Sequence, residues 1–253
     1  METINILGYN ISNGGLLADA DTAWRMILSG VPGRYMACAN PHSIVTARVD
    51  PDFRLALKSA DLLLPDGSGI LVAARGLGLP MQERVAGFEF FGEIARRAQA
   101  QGGQSFFFLG STPLVLERLT ARLARDFPAI RVAGSCSPPF RDSFTEAENA
   151  EMCRQINESG ASVLWVGMTA PKQEKWLRAN CHRLQPAFSG AIGAVFDFYA
   201  GTSKRAPQWV RNLGLEWLPR LLRNPRRLWQ RNFVSSPLFL SMVMRERLRL
   251  RAN

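Results

Sequence analysis

The sequence predicts an α/β fold: a parallel sheet with helices on both faces, followed by a basic C-terminal helical appendage. Three observations predict it. The runs Gln104-Ser-Phe-Phe-Phe-Leu-Gly110 and Ser162-Val-Leu-Trp-Val-Gly167 are continuously apolar instead of alternating, as in strands covered on both faces. Such strands alternate with helical stretches of about ten to fifteen residues, the rhythm of βαβ units. The charge is uneven: residues 1–203 hold nineteen Lys+Arg against nineteen Asp+Glu, whereas residues 204–253 hold twelve against two, the whole net excess of +10.

In chain order, residues 16–29 carry apolar side chains at helical spacing after Ser12-Asn13-Gly14-Gly15, and Gly30 with Pro32 closes that helix. Residues 34–40 form a strand ended by Asn40-Pro41, and short helices are expected over 43–48 and 52–59. The stretch Asp61-Leu-Leu-Leu-Pro-Asp-Gly-Ser-Gly69 reads as a buried strand that stops at Pro65-Asp66-Gly67 and opens a helix from Gly69. A helix over 89–100 is stopped by Gly102-Gly103, and the strand 104–110 follows. Ser111-Thr112-Pro113 then supplies an N-cap and a first-turn proline, so 114–126 is helical. Residues 130–134 form a strand, and 145–158 a helix with Thr145 and Glu148 as a capping box. After the strand 162–167, residues 171–181 are helical and 187–198 mix strand and turn.

A chain of 253 residues with 47% hydrophobic residues buries a substantial core. Cys38, Cys136, Cys153 and Cys181 are scattered without a CxxC pair or a histidine at metal spacing, which argues against a disulfide framework or a zinc site and for a reduced, intracellular setting. The N-terminus lacks the basic and apolar regions of a signal peptide, and no stretch approaches the ~20 apolar residues that span a bilayer. An electrically balanced body with a basic tail implies an anionic partner for the tail: lipid headgroups, nucleic acid or a phosphorylated substrate. The tail interleaves arginine with Trp209, Trp217, Trp229 and several leucines, which fits a surface lying on anionic lipid. An arginine-rich module for nucleic acid or another polyanion is the alternative.

In an open α/β sheet, ligands bind outside the carboxyl ends of the strands. Asp66 is therefore placed to act as a base, weak but deprotonated at neutral pH beside a helix N-terminus; an Asp before Gly at a strand end also makes an ordinary turn. Gly110-Ser111-Thr112-Pro113 is a second strand-to-helix turn whose backbone N–H groups suit a phosphate, or simply a helix cap. Gly167-Met-Thr-Ala-Pro-Lys-Gln-Glu174 is a third. Three polar turns together suggest a phosphorylated ligand lying across the sheet edge. A dinucleotide site is disfavoured, because Val72 follows Gly67-x-Gly69 where a third glycine belongs. Asp19-Ala-Asp21 has the spacing of a metal-binding DxD, but within a helix it reads as a solvated face.

Taken together, Ala39-Asn40-Pro41-His42, Leu64-Pro-Asp-Gly-Ser-Gly69, Glu83-Arg-Val-Ala-Gly87, Phe108-Leu-Gly110, Gly167 to Glu174, Val195-Phe-Asp-Phe-Tyr-Ala-Gly201 and Arg205-Ala-Pro207 resemble the WecG/TagA/CpsF family of bacterial glycosyltransferases. Glu216-Trp-Leu-Pro-Arg220 and Pro225-Arg-Arg227 extend the likeness into the tail. The resemblance implies an inverting, Rossmann-like transferase that moves a sugar from a UDP-sugar to a polyprenyl-diphosphate-linked sugar, with no metal or other cofactor. It makes Asp66 the catalytic base and places Asn40, Arg84 and Gln173 against substrate. Cys38 stands in that pocket where the family often has threonine. Gly110, Ser111 and Asp197 fall to the donor nucleotide and diphosphate, with Arg220 and Arg227 closing over the phosphates. A further tail arginine of the family falls at Gln230, beside Arg231. On this reading residues 1–203 are the catalytic domain, and 204–253 an appendage that associates with the cytoplasmic face of the bacterial inner membrane. The expected partners are the UDP-sugar, the lipid-linked sugar and an anionic membrane surface. Nucleic acid is not expected, and a homo-oligomer is compatible with the sequence.

Overall fold

The computed structural model describes residues 2–207, 210, 221 and 229–252. The chain opens with an antiparallel hairpin, β1 (Thr3–Ile6) and β2 (Tyr9–Ser12), in the register Ile4↔Ile11 and Ile6↔Tyr9. The sequence reading missed it. Both turn residues are left-handed, Leu7 at φ 54° and Gly8 at φ 83°, as a two-residue primed turn requires. A leucine in that position hides the signal.

After α1 (Gly15–Ser29), six strands form one sheet: β3 (Tyr35–Ala39), β4 (Leu62–Pro65), β5 (Ser105–Gly110), β6 (Arg131–Cys136), β7 (Val163–Gly167) and β8 (Phe188–Ala191). They lie in the order β4-β3-β8-β7-β5-β6, and every pairing is parallel. The connecting helices are α2 (Pro41–Thr46), α3 (Pro51–Lys58), α4 (Ser68–Leu77), α5 (Gly87–Gln101), α6 (Pro113–Asp126), α7 (Glu146–Glu158), α8 (Lys172–Asn180) and α9 (Val195–Tyr199). The expected caps form: Thr112 accepts from Val115 N, and Thr145 with Glu148 makes a capping box. The α/β prediction, with a parallel sheet and a C-terminal helix, holds.

Both sheet faces are covered. Residues at alternate positions, Met36, Leu62, Leu64, Phe106, Phe108, Val163 and Trp165, join side chains of α1, α5, α6 and α9 in one cluster. The intervening residues Phe107, Leu109, Leu164 and Val166 pack with α7 and α8, while Ala37, Ala39 and Leu63 pack with the hairpin, α3 and α4. This is why the strands read as unbroken apolar runs. The packing at the centre is close: a Cβ on Gly190 of β8 would fall 2.4 Å from Cζ3 of Trp165.

The C-terminal helix α10 (Ser236–Ala252), entered through a π-helical turn (Gln230–Ser235), packs on α4 and α2. Phe239 (1% exposed) and Val243 (4% exposed) sit in the cluster with the hairpin and α4. Among the described residues no helix is long and apolar enough to cross a membrane.

Candidate active site

Because all six strands run the same way, their carboxyl ends share one edge, and the sequence motifs emerge there together: Asn40 after β3, Asp66 after β4, Ser111 after β5, Thr169 after β7 and Gly193 after β8. The chain leaves β7 toward β8 but leaves the adjacent β5 toward β6, so a crevice opens between the ends of β5 and β7. The approach there is tight. Ser111 N donates to Gly167 O at 3.1 Å, and a Cβ on Gly110 would lie 2.6 Å from that oxygen, so only glycine fits at 110. Ser111 (φ 59°) and Thr169 (φ 61°) are non-glycine residues held left-handed at this crevice. Each is a strained position of the kind that collects at functional sites. Thr112 caps α6, whose N-terminal N–H groups therefore face the same edge.

Asp66 is held by its backbone. Its N–H donates to Ala39 O at 2.8 Å, and Val85 N donates to Pro65 O at 3.0 Å, which brings the 80–86 loop and Arg84 alongside. Gly67 (φ 93°) makes the turn into α4, and Gly69 abuts Pro41 so closely that an added Cβ would lie 2.3 Å from Cγ. The loop is anchored further out: Asn13 accepts from Gln82 N at 3.1 Å and donates to Pro80 O at 2.9 Å, and Glu83 accepts from Leu16 N at 2.7 Å.

Asn40 is the N-cap of α2, accepting from Ser43 N at 3.0 Å while Asn40 N donates to Ser43 Oγ at 2.7 Å. Cys38 is half-buried, with Sγ 4.0 Å from Ala191 O. Burial, with the Asp66 and Glu174 carboxylates adding to it, pushes its thiol well above the ordinary range, so it remains protonated and is a poor nucleophile. Gln173, 5% exposed, accepts from Met168 N at 3.3 Å and donates to Glu174 Oε1 at 2.9 Å. Its amide lies against Gly193 at the end of β8. Asp197 on α9 accepts from Thr202 Oγ1 at 3.3 Å.

The structure thus brings Cys38, Asn40, Asp66, Arg84 and Gln173 to one end of the edge. Gly110 and Ser111 stand four strand spacings from Asp66, roughly 19 Å at about 4.8 Å each. Arg220 and Arg227 lie outside the described residues, as does the side chain of Gln230. The chain on either side of them is tied to this edge. Arg205 pairs with Glu89 at 2.9 Å in the first turn of α5, and Ser235 Oγ lies 2.8 Å from His42 Nδ1 in the first turn of α2.

The DxD expectation needs correction. Asp19 is 1% exposed, hydrogen-bonded by Ser12, and its Oδ2 has no partner among the described residues; burial, opposed by Ser12, raises it to about 6. Only Asp21 is solvated, paired with Arg97. Among the described residues, no three His, Cys, Asp or Glu side chains group as metal ligands.

Residues 4–253 match the model of the glycosyl transferase WecG/TagA/CpsF family. The chain belongs to this family. Among curated relatives, a Bacillus spizizenii protein is 32% identical over 213 residues, 84% of this chain and 79% of its own. One from Bacillus subtilis is 29% identical over 97% of this chain and 91% of its own, and one from Staphylococcus aureus 24% over 98% and 94%. Each is named an N-acetylglucosaminyldiphosphoundecaprenol N-acetyl-beta-D-mannosaminyltransferase.

The sequence reading quoted Glu174 within a motif but gave it no role. It is 2% exposed, its Oε2 has no hydrogen-bond partner among the described residues, and burial, opposed by Gln173, raises it from 4.5 to about 7. Between those values the folded state binds the extra proton. Its contribution to stability is therefore greatest below about 4.5 and falls as pH rises to about 7, by up to about 3 kcal/mol. Urea midpoints measured from pH 5 to 8 should show that decline in the parent, and Glu174→Gln should flatten it.

Proposed function

We propose that the protein transfers N-acetylmannosamine from its UDP derivative to N-acetylglucosamine carried on a polyprenyl diphosphate, with inversion at the anomeric carbon. Three relatives aligned over most of the chain bear that activity in their names, which supports both sugars and the lipid diphosphate. The single observation that carries the mechanism is the convergence of Asp66, Arg84, Asn40 and Gln173 at the carboxyl end of a wholly parallel sheet.

Asp66 takes the proton of the acceptor hydroxyl as its oxygen attacks the anomeric carbon, and the bond to the UDP oxygen breaks on the opposite face. UDP leaves as an anion. The N–H groups at Ser111 and the start of α6 receive the nucleotide end of the donor, and its diphosphate runs along the edge toward Asp66, where Arg220 and Arg227 from the tail carry the charge without a metal. Asn40 uses its side-chain oxygen as a cap, which leaves Nδ2 to meet a sugar oxygen. Asp197 takes the nucleoside end. The anchors at Arg205–Glu89 and Ser235–His42 support a tail that passes over this edge and excludes water during transfer.

The tail also meets the membrane. On α10, Leu240, Met244 and Leu248 are exposed at intervals of four, with Arg245, Arg247 and Arg249 exposed among them, while Phe239 and Val243 face the body. A helix docked by one face, with another apolar and basic, suits the interface of an anionic leaflet, where a peripheral enzyme meets a lipid-linked acceptor. Residues 204–253 act on this reading as the membrane-associating part and 1–203 as the catalytic part.

Asp66→Asn should cut turnover roughly a hundred- to ten-thousandfold while UDP still binds by calorimetry; an asparagine variant at full rate removes the base assignment. Replacing Arg245, Arg247 and Arg249 with glutamine should weaken sedimentation with anionic vesicles roughly fivefold per charge. Unchanged vesicle binding combined with lost binding to nucleic acid in a gel-shift assay would favour a polyanion module instead.

A further inference from the structure

Glu174 is an expensive residue for its place. A carboxyl shielded from water with one oxygen unpartnered costs free energy that a methionine or leucine of similar size would not. Space-filling therefore does not account for it, and among the described residues no ion pair compensates it: Cys38 on β3 lies near it, and the neighbouring Lys175 pairs with Asp50, joining α8 to α3. What Glu174 does make is one hydrogen bond, from Gln173 Nε2 to its Oε1 at 2.9 Å.

That bond decides how the Gln173 amide is turned. The two ends of a glutamine amide have nearly the same shape, so packing alone barely distinguishes them. Here the oxygen end accepts from Met168 N at 3.3 Å, and the nitrogen end donates to a carboxyl oxygen that accepts whether Glu174 is protonated or ionised. The backbone N–H of Gln173 also donates to Thr169 O at 3.3 Å, so the residue is fixed to the strained turn after β7. Gly193 presses on the amide, with its added Cβ placed 3.4 Å from Oε1 and 3.5 Å from Nε2. Remove Glu174 and the nitrogen end loses its acceptor.

We propose that Glu174 is a positioning residue, which locks the Gln173 amide in the orientation that presents its second N–H to the sugar. This deepens the transferase reading and rests on Gln173 lying in the substrate pocket. It acts through Gln173 alone.

A double-mutant cycle in steady-state kinetics tests it, with UDP-N-acetylmannosamine and a synthetic lipid-diphosphate N-acetylglucosamine. Glu174→Leu should lower kcat/KM roughly 100-fold, the scale of a misplaced contact. Gln173→Ala should lose a similar amount, and the double variant should be no worse than Gln173→Ala. Glu174→Gln keeps an acceptor oxygen and should restore turnover to within about threefold of the parent. Glu174→Met replaces the leucine variant if that chain does not fold, with thermal unfolding recorded for each. Losses that multiply in the double variant, or a Glu174→Gln as impaired as Glu174→Leu, overturn the proposal. Those outcomes leave the transferase reading intact, which fails instead if the parent protein transfers no N-acetylmannosamine in the same assay.

Discussion

Two backbone hydrogen bonds hold the chemistry in place: Asp66 N to Ala39 O at 2.8 Å and Val85 N to Pro65 O at 3.0 Å. The first continues the β3–β4 ladder one residue past the strand, so Asp66 leaves the sheet with a fixed direction. The second ties the Arg84 loop to the same strand end. Neither involves a side chain, so the placement of the base and its neighbour follows from the sheet register Cys38↔Leu64 and Ala39↔Pro65. That register in turn is set by which residues face which core: Leu62 and Leu64 enter the cluster with α1 and α5, and Leu63 the one with the hairpin and α4. A slip of one residue would exchange the two faces and re-aim Asp66.

The edge divides into unlike halves. Around β5 and β7 it is a matter of backbone: a glycine contact that admits no Cβ, two left-handed non-glycine residues and a helix N-terminus, all suited to an anion. Around β3, β4 and β8 it is a matter of side chains, two of them carboxyls beside a protonated thiol. A donor with a nucleoside at one end and a reacting sugar at the other is matched by that asymmetry.

Much of this was legible in the sequence because it was local. The continuous apolar runs at 104–110 and 162–167, the Thr112-Pro113 cap and the Thr145/Glu148 box each name their element from neighbouring residues. What escaped was non-local or disguised. Strand β8 inserts between β3 and β7 though it is last in sequence, and pairing across that separation leaves no local pattern. The hairpin was masked by Leu7 at a left-handed turn position. Asp19 read as solvated because a helical spacing does not say which side Ser12 and Glu83 will cover. Glu174 stood unnoticed beside Gln173, since burial of a charged residue is visible only once α8 is packed on the sheet.

The central claim is that donor and base share the carboxyl edge. A crystal structure of the protein with UDP tests it most directly. The account predicts the nucleoside end of UDP at Ser111 and the first turn of α6, with the nucleotide running along the edge so that its β-phosphate reaches toward Asp66. UDP bound at the amino-terminal end of the sheet, in the hollow of about 540 Å³ lined by Asn5, Lys58 and Asp61, would contradict it.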